Sequence, residues 1–211
     1  MKGKRFRRFL AALVAMLLLF TAPGAVSVCA YMEEMELQNI APQATYTFTH
    51  YDPSYPDYDP FSNPAWYKAD ETGRQLTDGS RAPVNDYEDE GWVGVSAYTA
   101  GTAVTTATFQ FPASVVISSV VTSCHPASVE AGIDLPKQVT VSVSQNGTNW
   151  TPVAMADDTD PASMLSIELD QAYKATYVKL DYLQKYGVGW ILFDEIEIYG
   201  TMDSSEGTDP S

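Results

Sequence analysis

The sequence predicts an all-β chain built as a sandwich or jelly roll, and three observations carry that prediction. Apolar and polar residues alternate with period two, most plainly in Val139-Thr140-Val141-Ser142-Val143-Ser144, which sets three valines on one face. β-Branched residues dominate these runs, as they do on pleated, half-buried surfaces. Beyond residue 30 no stretch carries a 3.6-residue apolar stripe of helix length.

The elements follow in chain order. Lys2, Lys4, Arg5, Arg7 and Arg8 precede an apolar run over residues 9–20, and small residues surround Val28-Cys29-Ala30. That is the pattern of a secretory signal peptide, read as residues 1–30, with an earlier cut near residues 22–25 as the alternative. The competing reading, a retained membrane anchor, needs about 20 apolar residues, and this run is much shorter. Residues 33–64 are rich in Tyr, Asp and Pro and are read as a short strand near residues 46–49 followed by an ordered surface loop, because closely spaced prolines exclude a helix or a central strand. Alternating runs then recur at residues 102–111, 114–123, 139–144, 164–169, 176–183 and 191–199, and Asn146-Gly147 punctuates two of them as a hairpin turn. Residues 31–202 are thus read as one β domain, and residues 203–211, which hold no large apolar side chain, as a disordered acidic tail.

Charge narrows the function. The 211 residues hold 12 Lys and Arg against 27 Asp and Glu. Loss of residues 1–30 would leave seven basic residues and a net charge of −20. Such a chain repels phosphate, so nucleic acid and anionic membrane are excluded as partners, while neutral ligands and divalent cations remain. Of the two cysteines only Cys124 would survive cleavage, which rules out an internal disulfide and leaves Cys124 as a buried small hydrophobe.

Several motifs in order resemble one family. Leu76-Thr77-Asp78-Gly79 is followed by Trp92-Val93-Gly94. Ile133-Asp134-Leu135-Pro136 leads into the valine run and then Gln145-Asn146-Gly147-Thr148-Asn149-Trp150. Tyr177-Val178-Lys179-Leu180 precedes Trp190-Ile191-Leu192-Phe193-Asp194-Glu195-Ile196-Glu197-Ile198-Tyr199-Gly200. Over residues 37–200 the chain resembles the discoidin, or coagulation factor 5/8 type C-terminal, domain superfamily of galactose-binding-like jelly rolls. The resemblance implies a discoidin-like β-sandwich that binds without catalysis through loops at one end, most often to carbohydrate. It also implies a structural calcium between an Asp-Gly loop and a glutamate opening the last strand, positions that Asp78 and Glu195 match. The family's threonine after Asp-Gly is replaced here by Ser80-Arg81-Ala82-Pro83. The plainer reading makes Asp78 a turn residue and Glu195 a solvated strand position.

A flat aromatic ring matches the apolar face of a pyranose, so loop aromatics are the candidate sugar platforms: Trp66, Tyr67, Trp92 and Trp190, each with core packing as its alternative. Arg74, His125 and Lys185 are the polar candidates to bond sugar hydroxyls, with surface ion pairing or no role as their alternatives. Catalysis is disfavoured. Cys124 and His125 are adjacent and point to opposite faces of an extended chain, and Asp57, Asp59, Asp194 and Glu195 are not spaced as a facing carboxylate pair. The sequence therefore points to a secreted, extracellular, noncatalytic carbohydrate-binding module, with a protein-protein adhesion or assembly module that meets a surface protein as the alternative.

Overall fold

The computed structural model describes residues 37–97, 101–157, 164–185 and 189–202. The signal-peptide and tail readings lie outside those residues. Nine strands are described: β1 Gln38–Asn39, β2 Thr45–Tyr51, β3 Tyr67–Lys68, β4 Val93–Ser96, β5 Val104–Cys124, β6 Gln138–Ser144, β7 Thr151–Asp157, β8 Met164–Leu183 and β9 Trp190–Met202. Every strand pairing is antiparallel. The hydrogen-bonded order is β3-β4-β9-β5-β8-β6-β7, with β1 added to β9 and β2 to β5.

This continuous ladder makes a sandwich because β5 and β8 run through both layers. The first half of β5 pairs β2 and the last part of β8, while its second half pairs β9 and the first part of β8. The pairing lapses between Gln110 and Val115, and there the strand passes from one layer to the other. Pro112 sits in that gap, where its missing N–H removes no ladder bond. The runs at 102–111 and 114–123, which read as separate strands, are therefore one, and those at 164–169 and 176–183 are the two parts of β8. A bulge and a turn interrupt period-two alternation in the same way, so the sequence pattern does not separate them.

Register explains the core. Thr105, Ala107 and Phe109 of β5 face Tyr182, Leu180 and Val178 of β8, and these in turn face Val139, Val141 and Val143 of β6. The three rows are buried against Phe193, Ile196 and Ile198 of β9. The Tyr182 hydroxyl crosses between the layers to the Thr122 hydroxyl of β5 at 2.8 Å, and the Tyr182 ring packs on Phe193 at 4.6 Å. This satisfies the one polar atom of a ring with no exposed surface. Between β6 and β7 the turn forms as expected: Gly147 takes φ +72° and the Asn146 Oδ1 accepts from the backbone N–H groups of Thr148 and Asn149.

Gly200 of β9 lies flush against β5, where an added methyl group would overlap the carbonyl oxygen of Val116. Gly200→Ala is expected to lower the unfolding free energy by about 1–3 kcal/mol in urea denaturation, the range for overpacking a close backbone contact.

Candidate functional site

Tyr51, Val104, Leu183 and Gln138 occupy one row of the register, so the connections that follow β2 and β8 and those that precede β5 and β6 emerge at one end of the sandwich. At this end lies a cleft of roughly 320 Å³ lined by Tyr67, Tyr87 and Trp190 together with Ile133, Leu192, Lys68 and Glu88. The volume is that of a small-ligand site.

Each wall is fixed locally. Tyr67 lies on β3, paired with Val95 of β4, and the Phe61 ring meets it edge-on at 4.8 Å. Trp190 opens β9; its N–H donates to the Gly132 carbonyl at 2.8 Å and its own carbonyl accepts from the Asp134 N–H at 3.1 Å, which ties the 128–134 segment to the strand. Tyr87 is 47% exposed and rides on an acidic loop, residues 86–90. That loop is anchored from below, because the Trp92 indole N–H donates to the Asp86 carbonyl at 2.8 Å. Asp86 and Asp89 also accept the backbone N–H groups of Glu88 and Gly91, and the Lys68 ammonium donates to the Glu88 carbonyl at 2.8 Å.

Of the residues singled out from sequence, the cleft brings together Tyr67 and Trp190. Trp66 is half-buried and packs instead on Tyr58, with ring centroids 5.2 Å apart. Two expectations are corrected. Trp92 has no exposed surface and lies in a small core cluster with Ala82, Ile133 and Leu192, so its ring is not a platform. His125 enters the loop after β5 as expected but is not exposed there: it is 5% exposed, its backbone N–H donates to the Leu192 carbonyl, its Nδ1 meets the Pro126 carbonyl, and its ring stands edge-on to Trp92 at 4.9 Å. Arg74 is exposed on a loop organised by the Asp70 carboxylate and is not among the cleft residues. Lys185 pairs with Asp134 at 3.3 Å. Sequence reasoning missed Tyr87, Lys68 and Glu88. The loop composition around residue 90 pointed to the right segment, but the tryptophan, with more surface to bury, went inward and left the tyrosine outside.

The Asp-Gly loop and the last strand do meet. The Gly79 N–H donates to Glu195 Oε2 at 3.0 Å, and the Ile196 N–H donates to the Leu76 carbonyl at 2.7 Å. Glu195 is not solvated: it has no exposed surface, and burial pushes its carboxyl up to about 7, against the pull of the Gly79 N–H and Arg81. Its Oε1 has no hydrogen-bond partner. Asp78 is exposed, caps the Ser80 N–H, and stands near enough to raise the Glu195 carboxyl further. A buried carboxylate oxygen whose lone pairs accept no hydrogen bond, within electrostatic reach of a second carboxylate, fits a hard cation such as calcium. Among the described residues no three His, Cys, Asp or Glu side chains converge, so carbonyl or water oxygens would have to complete the shell.

Burial pushes the Cys124 thiol far up, with Asp194 adding to the effect, which disfavours the thiolate. Asp194 is itself engaged by the Ala82 N–H at 3.1 Å and by Arg81 at 3.6 Å.

The two tryptophans should separate cleanly in unfolding experiments. Trp92→Ala is expected to lose about 3–5 kcal/mol, as for a fully buried large ring, whereas Trp190→Ala, at the cleft wall, should lose less than about 2 kcal/mol. Equal losses in urea unfolding would contradict this division of roles.

Comparison with known proteins places these features. A family model described as F5/8 type C domain matches residues 62–196, well over half of the chain. Among solved structures the chain is similar to chitosan-binding module 1 derived from a chitosanase/glucanase of Paenibacillus sp. IK-5, at 17% identity and TM-score 0.52, covering 77% of this chain and 99% of that one. It is also similar to a fucolectin from the serum of striped bass, Morone saxatilis, at 13% identity and TM-score 0.52, covering 79% of this chain and 50% of that one. No curated protein sequence matches. At these identities the structural likeness speaks to the discoidin-type sandwich, and the sequence match speaks to descent: the chain belongs to the F5/8 type C domain family.

Proposed function

We propose that the protein is a secreted, noncatalytic carbohydrate-binding module that seats a sugar ring in the cleft of Tyr67, Tyr87 and Trp190. The observation that carries this reading is the cleft itself, which is lined by three aromatic residues together with Lys68 and Glu88. Rings cover the apolar C–H faces of a pyranose, while an ammonium donor and a carboxylate acceptor bond its hydroxyls. The folds shared with a chitosan-binding module and a fucolectin are in keeping with it. Export is supported by the basic and then apolar run at the start of the chain.

A glycan array probed with the folded protein tests the proposal. Selective binding is expected, weakened roughly tenfold or more by Trp190→Ala or Tyr87→Ala, since a buried ring contact contributes about 1.5–3 kcal/mol. A folded protein that binds no glycan would overturn the reading.

We also propose that Glu195 and Asp78, with carbonyls of the 76–80 turn, hold a structural calcium. Its chemistry there is to neutralise a buried carboxylate and pin the turn to β9. Calcium at a hundredfold excess over Kd should stabilise the fold by about 2.7 kcal/mol, and EDTA should reverse the gain. Glu195→Gln should abolish the calcium-dependent shift in Tm; an unchanged shift would remove Glu195 from the site.

A further inference from the structure

Three polar side chains at the loop end of the sandwich hold enclosed atoms that no protein group satisfies. Asp52 follows β2 and is 1% exposed, and Gln184 follows β8 and is 0% exposed. His50, the last residue but one of β2, pairs with the buried Thr105 of β5. The His50 Nε2, the Asp52 Oδ2 and both amide atoms of Gln184 are buried without a hydrogen-bond partner. Such groups are costly to enclose, so three in one region call for something that satisfies them together.

The sheet brings them to one place. Tyr51 pairs with Val104 and Val104 with Leu183. One step further the row runs Asp52, Ala103, Gln184, and the Gln184 N–H donates to the Ala103 carbonyl at 2.9 Å. The other carboxylate oxygen of Asp52 accepts from the Thr102 hydroxyl at 2.9 Å and from the Ser54 N–H at 2.9 Å, which fixes this carboxylate beside the 102–103 segment. Ala103, buried between the two, contributes only a methyl group. At a strand spacing of about 4.8 Å the backbones of Asp52 and Gln184 stand roughly 10 Å apart, a span that the two side chains can close around a shared ion. The next row carries His50, whose Nδ1 is 3.1 Å from the Thr105 hydroxyl, so Nε2 is the nitrogen left over, and Asp52 lies within electrostatic reach of that imidazole.

The donor set selects the occupant. A buried carboxylate that forms no ion pair with any described residue gains a counter-charge from a cation and none from a water molecule. Calcium and magnesium take oxygen shells, whereas one imidazole nitrogen with a carboxylate and an amide oxygen suits a divalent transition ion. We infer that His50 Nε2, Asp52 Oδ2 and Gln184 Oε1 are ligands of a divalent transition metal of the zinc type. The ion ties the segment leaving β2 to the segment leaving β8. Tyr58 stands edge-on to His50 at 6.0 Å and packs on Trp66 at 5.2 Å, so the tie also steadies the chain that leads into β3. None of the three ligands is among the cleft residues, and the site is independent of both the sugar and the calcium proposals.

The test is calorimetric titration of the untagged full chain with zinc chloride in a Glu195→Gln background, which removes the proposed calcium ligand, together with X-ray absorption at the zinc edge. One zinc per chain is expected, in a shell of one imidazole and oxygen atoms. His50→Gln and Asp52→Asn should each weaken binding at least about tenfold, no less than the loss of a supporting group around a metal. Gln184→Glu, which exchanges a neutral oxygen donor for a charged one, should tighten it. A folded protein that binds no zinc, a shell without imidazole, sulfur in the shell, which would move the metal to Cys124, or affinities unchanged by His50→Gln and Asp52→Asn would overturn the inference. Where those two variants fail to fold, Gln184→Glu and the absorption spectrum of the parent decide, and an affinity that Gln184→Glu does not raise would overturn it as well.

Discussion

Everything in this molecule hangs on the antiparallel pairing of β5 with β8 along nearly their whole lengths. The two strands belong to both layers, and their shared register sets which residues face inward in each. Ala107, Leu180 and Val141 fall in one row and Phe109, Val178 and Val143 in the next, so the core is a consequence of pairing as much as of hydrophobicity. A slip of one residue would turn each row outward. The link from Tyr182 to Thr122 joins the layers with a buried hydrogen bond, and a chain with a single thiol among its described residues relies on such contacts in place of cross-links.

The same register gathers the connections at one end and so creates the site. A rigid sandwich tolerates loops of varied sequence without disturbance to its core, which is why binding sites are often built on loops. The cleft draws on segments distant in sequence, from Tyr67 through Tyr87 and Ile133 to Trp190, and each is tied to the scaffold by backbone bonds or ring contacts. Trp92 serves the site indirectly. Buried beside His125, it holds the acidic loop by its indole N–H and thereby places Tyr87 and Glu88.

Electrostatics divides the molecule into two acidic regions with different physics. The loop at residues 86–90 is exposed except for the half-buried Asp89, so its charges are screened by solvent and salt. Glu195 is enclosed, and desolvation opposes its charge. The first arrangement suits recognition of a ligand that arrives from water. The second suits the calcium proposed above, whose charge would offset the desolvation of Glu195.

The sequence by itself determined the all-β class, the hairpin at Asn146-Gly147 and the membership implied by the ordered motifs. These are local or periodic properties: alternation states which face is apolar, a positive φ asks for glycine, and motif order survives in one dimension. Tertiary structure alone decided that two alternating runs were one bent strand, that Glu195 is enclosed rather than solvated, and which aromatics line the cleft. Composition marks a residue as able to pack or to stack, and both uses draw on the same apolar surface. Trp92 and Tyr87 lie five positions apart in the same segment, yet one fills the core and the other faces water. What separates them is the space left between β9 and the 128–134 segment, a quantity that exists only once the strands have paired.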